Sequence, residues 1–135
     1  MHNLRICIGS NDNQNIAQTH MGDTEAFLIY DLTKEGESPF IDQRSNVAKD
    51  LDHAQTSKMK QILELVKDAD ILIAQQKSPN FIKIAQQTKY QPVIVKAVTI
   101  TAILELLLRH YGELAALVER RNKGEFLATI PEFEQ

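Results

Sequence analysis

Short apolar runs alternate with polar stretches over the first hundred residues, and a broad apolar stripe fills much of the last third. Leu4 to Ser10 is apolar, partly β-branched and interrupted by glycine near its end, which predicts a buried strand. Ser10 to Gln18 carries Asn11, Asp12, Asn13, Gln14 and Asn15 and predicts a loop. Glu25 to Leu32 predicts a second strand, Lys34 to Pro39 a turn, and Phe40 to Asn46 a third strand that alternates apolar and polar side chains. Strands joined by so short a turn form an antiparallel hairpin.

Beyond a polar connection from Val47 to Gln55 the period changes. Met59, Ile62, Leu63 and Val66 fall on one helical face, so a helix is predicted through Lys67, with Thr56 and Ser57 both suited to cap it. Ile71 to Ala74 is continuously apolar, as in a parallel strand covered on both faces. Ser78-Pro79-Asn80 opens a shorter helix over Phe81 to Thr88, and Gln91-Pro92 introduces a strand at Val93 to Val95.

Thr99 and Thr101 offer caps for one long helix from Ile103 to about Arg121, with Gly112 as its weak point. Ile103, Leu104, Leu106, Leu107, Leu108, Tyr111, Leu114, Leu117 and Val118 make a stripe wider than one sheet-facing seam. Such a helix is deeply buried or pairs with a partner, so a homodimer through it is one expectation. Arg120 and Arg121 are expected only to complement the helix dipole, and the tail around Gly124 and Pro131 to be loosely held. The order β-β-β-α-β-α-β-α predicts a single α/β domain with a mixed sheet of about five strands and right-handed crossovers in its later part.

Composition narrows the function. At 135 residues the chain is large enough for one cored domain. Fifteen basic against eighteen acidic residues, net −3 without a basic tail, excludes a dedicated nucleic-acid binder. No run approaches the roughly 18 apolar residues of a membrane span, and no secretory leader opens the chain, so no membrane partner and a cytoplasmic location are expected. Cys7 is the single cysteine; it cannot form an internal disulfide or an all-cysteine cage, and its apolar strand predicts a buried small hydrophobe. No Gly-rich phosphate loop and no recognisable nucleophile–base pair are present, which predicts a non-catalytic protein.

The residues with most chemical interest are Thr19-His20-Met21-Gly22-Asp23-Thr24, ahead of the strand Ala26-Phe27-Leu28-Ile29-Tyr30-Asp31. They put an imidazole, a thioether and a glycine in a loop on a rigid scaffold, where a soft or borderline metal can be reached. His53 follows Asp52, an acidic neighbour able to orient its ring.

Taken in order, several segments resemble the dinitrogenase iron–molybdenum cofactor-binding family. Leu4-Arg5-Ile6-Cys7-Ile8-Gly9-Ser10 is similar to its opening strand, and His20-Met21-Gly22 to its His-Phe-Gly loop. Phe27-Leu28-Ile29-Tyr30-Asp31 is similar to its phenylalanine-rich strand, and His53 to its histidine before a helix. Asp70-Ile71-Leu72-Ile73-Ala74 followed by Ser78-Pro79-Asn80-Phe81 resembles its Val-Val-Ile-Ala strand and Gly-Pro-Asn-Ala turn.

The resemblance spans about residues 4–98 and implies a cofactor-binding domain over 1–98, with 99–135 as a helix and tail packed on or extending it. It implies a ribonuclease-H-like, three-layer α/β/α fold. It further implies a non-catalytic carrier of an iron–sulfur-type or iron–molybdenum cluster, exchanging cargo with donor and acceptor proteins in nitrogenase cofactor biosynthesis. On that reading His20 is the metal ligand, with Met21, Gly22, His53, Lys77 and Asn80 around the cluster. A nuclease relative would need an acidic residue inside the first strand, which offers only Arg5, Cys7 and Ser10. A cluster-free interaction or regulatory module using the apolar C-terminal helix is the alternative.

The chain departs from the family pattern in two places. Asp23 and Thr24 stand where arginine and alanine usually follow the loop glycine, and Gln75-Gln76-Lys77 replaces a glycine-bearing loop. The Asp23 carboxylate is expected to repel an anionic cluster by about 1 kcal/mol or more at short range, with Lys77 as the compensating cation.

Overall fold

The computed structural model describes residues 3–18, 21–48 and 56–134. His20 and His53 lie outside the described residues, as does the choice between Thr56 and Ser57 as helix cap.

Six strands form one mixed sheet: β1 (Leu4–Ser10), β2 (Ala26–Leu32), β3 (Phe40–Ser45), β4 (Ile71–Ala74), β5 (Gln91–Val95) and β6 (Glu132–Phe133). Their spatial order is β3-β2-β1-β4-β5-β6. β1 runs antiparallel to β2 over its whole length, from Leu4 opposite Leu32 to Ser10 opposite Ala26, and β2 pairs antiparallel with β3 through a bulge at Ile29/Tyr30. The β1–β4, β4–β5 and β5–β6 pairs are parallel.

Side chains alternate between the faces of a strand, and two apolar clusters follow from that alternation. Leu4, Ile6 and Ile8 of β1, Ile71 and Ile73 of β4, and Val93 and Val95 of β5 belong to one cluster. It includes residues of helices α3 (Ile100–Arg109) and α4 (Tyr111–Asn122), among them Ile103, Leu107, Leu114 and Val118. Cys7, Phe27, Leu72 and Ile94 point the other way. They cluster with Phe81 and Ile84 of α2 (Pro79–Gln87) and with Met59, Ile62 and Leu63 of α1 (Thr56–Leu65). Cys7 is fully buried, as its strand position requires.

The C-terminal third differs from expectation in three ways. The single long helix is two helices broken at His110, where the backbone leaves helical geometry two residues ahead of Gly112. The tail is not loose: Glu132 and Phe133 add a sixth strand to the sheet, and the Phe133 ring stacks on His110 at 4.1 Å between centroids. Arg121 does far more than answer a helix dipole. It is buried, and its guanidinium donates to Gln91 Oε1 (2.7 Å), Thr88 O (2.9 Å) and Leu127 O (2.9 Å), tying α4 to the start of β5 and to the tail. Most of the apolar stripe thus finds its burial against the chain's own sheet.

At the start of β1 an ion network clamps four elements together. Arg5 bridges Asp31 (2.9 Å) and Asp68 (2.9 Å), while Arg44 of β3 binds Asp68 (2.6 Å) and Asp42 (3.0 Å) and donates to the Leu65 carbonyl at the end of α1. Two guanidiniums on one carboxylate hold the Asp68 pKa well below the usual carboxylate range, Arg44 contributing most.

Candidate functional site

Beyond the carboxyl end of β1 the chain turns to β2 on one side, whereas the next parallel neighbour, β4, lies on the other. Crevices at such a switch point are where open α/β sheets bind ligands. Here the crevice is a cleft of about 260 Å³.

Its walls come from three places. The segment after β1 supplies Gln18, Met21 and Asp23. The segment after β4 supplies Gln75, Gln76, Ser78 and Asn80, and α1 contributes Lys58, Met59, Ile62 and Leu63. Buried Leu72, Phe81 and Ile84 form the floor.

The first wall is held by a tight packing detail. Met21–Asp23 is a single 3-10 turn, followed by Thr24, whose side chain is buried. The Thr24 hydroxyl donates to Met21 O (3.0 Å) and Ala26 O (3.2 Å), and its carbonyl accepts from Asn46 Nδ2 (2.9 Å). The turn can sit this close to β1 because Gly9 has no side chain: a Cβ there would lie 2.8 Å from Thr24 Cγ2. The rest of the loop after β1 is pinned by Ala17 N to Gly9 O and Ile16 N to Val98 O, each 2.9 Å. Ahead of them, Asp12 accepts from the amides of Gln14 and Asn15, bonds that hold its pKa down.

The second wall follows from local sequence. Ser78 caps α2, its hydroxyl accepting from Phe81 N (3.2 Å), and Pro79 occupies the first turn, where its missing amide costs nothing. The positive end of the α2 dipole therefore faces the same cleft as Asn80. Gln75 is turned away from it in part, donating to Ala97 O (2.7 Å).

Lys58 is the feature that sequence reasoning missed. Only 3% of its side chain is exposed, and its ammonium contacts Asp23 at 2.8 Å across the gap between α1 and the 3-10 turn. The expected repulsion from Asp23 is answered by this cation. In sequence, Lys58 stands in the first turn of the helix, where lysine normally reads as solvent-facing. The signal available was its position four residues before Ile62, one turn back along the apolar face.

Of the residues expected at the site, Met21 and Asn80 line the cleft and Gly22 lies within the turn between Met21 and Asp23. Lys77 is exposed on the loop after β4 and is not part of the lining. His20 immediately precedes Met21 in sequence, and His53 lies five residues before Lys58; both are outside the described residues. Among the described residues no group of three or more His, Cys, Asp or Glu side chains converges to hold a metal ion. None of the described helices is long and apolar enough to cross a membrane.

A mixed sheet covered by helices, with a cleft beyond its strand ends, makes this a single α/β domain. The sequence profile of the dinitrogenase iron-molybdenum cofactor family matches residues 2–110, and the chain belongs to that family. The match runs past residue 98 and takes in α3. No curated protein and no solved structure matches the chain significantly.

Proposed function

We propose that the protein is a non-catalytic carrier of an iron–sulfur-type or iron–molybdenum cluster in nitrogenase cofactor biosynthesis, serving nitrogen fixation in the cytoplasm. The supporting observation is that the cleft is bracketed by Met21, from the loop that resembles the family's, and by Ser78 and Asn80, from the turn that resembles the family's. The six-stranded sheet with apolar clusters on both faces supports a three-layer, ribonuclease-H-like fold, with residues 99–135 extending the same domain.

In this reading His20 ligates the cluster, Met21 and Gly22 shape the loop against it, and Asn80 donates from the α2 side. His53 and Lys77 are supporting polar groups, and Lys58 supplies positive charge beside the cleft. A single imidazole gives weak, exchangeable attachment, which suits hand-over from a donor protein to an acceptor. The rival interaction-module reading drew on Asp23, the missing loop glycines and the apolar C-terminal helix. Most of that stripe packs against the sheet, with Leu108, Tyr111 and Leu117 left half-buried, so the rival rests on these three residues, Asp23 and the changed loop.

Anaerobic reconstitution with iron and sulfide, followed by visible absorption and iron analysis, tests the proposal. Stoichiometric colour that disappears in His20→Ala, with far-ultraviolet circular dichroism unchanged, is the expected result. Full retention of iron by His20→Ala would refute the ligand assignment, and a protein colourless under every donor condition would refute the carrier reading.

A further inference from the structure

The floor of the cleft is hydrocarbon: Leu72, Phe81 and Ile84 are buried there, with Met59, Ile62 and Leu63 half-buried beside them. Such a surface offers no donors, so it contributes to binding through apolar contact alone. It favours an organic body. Next to it lies the Lys58 ammonium, nearly sealed from bulk water and held 2.8 Å from Asp23. Asp23 differs from Lys58 in one respect that matters here. Its side chain is 29% exposed, so its carboxylate can trade the ammonium for water, while the buried ammonium depends on protein or ligand oxygens.

We propose that the cleft binds a small amphipathic organic acid, its apolar body on the α1–α2 floor and its anionic head replacing the Asp23 carboxylate on Lys58. Asp23 is then an internal competitor. It lowers affinity for any anion, and the site admits those whose apolar body contributes as well. The proposal stands on the cleft alone, independently of the cluster reading, and its test contains no iron.

Octanoate and octanol are the probes, titrated by calorimetry into the intact protein, with methyl chemical shifts of Met59, Ile62 and Ile84 locating the bound molecule. Octanoate is expected to bind, to shift those methyls, and to bind more weakly by about fourfold for each methylene removed from its chain. Asp23→Asn is expected to tighten octanoate roughly tenfold and leave octanol unchanged, whereas Lys58→Met, which leaves the Asp23 carboxylate facing the head group, brings octanoate below octanol. Three results would overturn the proposal. They are no octanoate binding in either wild type or Asp23→Asn, octanol matching octanoate in Asp23→Asn, and methyl shifts confined to residues away from the cleft.

Discussion

The contact between Gly9 and Thr24 offers a sharp test of how the cleft's first wall is built. Replacing Gly9 by alanine places a Cβ 2.8 Å from Thr24 Cγ2 and 3.0 Å from Thr24 Oγ1. Threonine is stiff about χ1 and this one is fully buried, so neither atom can swing aside cheaply. Overpacking of this kind costs about 1–3 kcal/mol. Thr24→Ala alone removes the hydroxyl's bonds to Met21 O and Ala26 O, a loss of about 0.5–1.5 kcal/mol. In the double variant both offending atoms are gone and the nearest is Thr24 Cβ at 3.3 Å, which a small backbone shift accommodates. The two substitutions should therefore be strongly non-additive. The double variant is expected to be more stable than the sum of the singles by about 1–2 kcal/mol. Urea denaturation of the four proteins, compared at equal m, measures this coupling. Additivity to within about 0.5 kcal/mol would refute the steric account.

Three further outcomes are expected. The depressed Asp68 pKa makes its ion pairs stabilising above the ordinary carboxylate value of about 3.9, a contribution lost as pH falls through that value toward the lower folded one. With about a third of its side chain exposed, Asp68→Asn should cost about 1 kcal/mol at pH 7 and flatten the acid limb of stability, as pH-dependent urea melts will show. Arg121→Met should cost about 2–4 kcal/mol by leaving Gln91 Oε1 and two carbonyls without their donor, and Arg121→Lys should not restore it; loss of amide protection at residues 127–134 is the diagnostic. Burial pushes the Cys7 thiol up, so a disulfide reagent should label it only as urea opens the protein, and rapid labelling in native buffer would contradict its burial.

The central strands were legible because burial on both faces writes itself as an unbroken apolar run, as in Ile71–Ala74. The caps Ser78 and Thr99 were legible because a hydroxyl ahead of an apolar period has a specific job, and both accept the expected amide. β6 was not, since two residues carry no periodicity and its existence depends on Arg121 and Phe133 finding distant partners. The break at His110 escaped for a related reason. Gly112 looked weaker on propensity, but stacking on Phe133 places the turn at His110. For the site, Met21 and Asn80 followed from their loops, while Lys58 was hidden because polar residues near a helix start normally face water.

The Arg5–Asp31 pair sits at the start of β1 and the cleft opens beyond its far end, with α1 reaching both: Leu65 O accepts from Arg44 in the ion network, and Met59, Ile62 and Leu63 line the cleft. Residues at the two ends that share no partner respond to substitution almost independently. The clamped end can thus act as ballast for the open one. Exposed rim positions such as Gln76 and Lys77 can accept replacements that reshape the mouth of the cleft, while the anchored end keeps the sheet intact. A domain built this way can be re-aimed at its rim without being rebuilt beneath it.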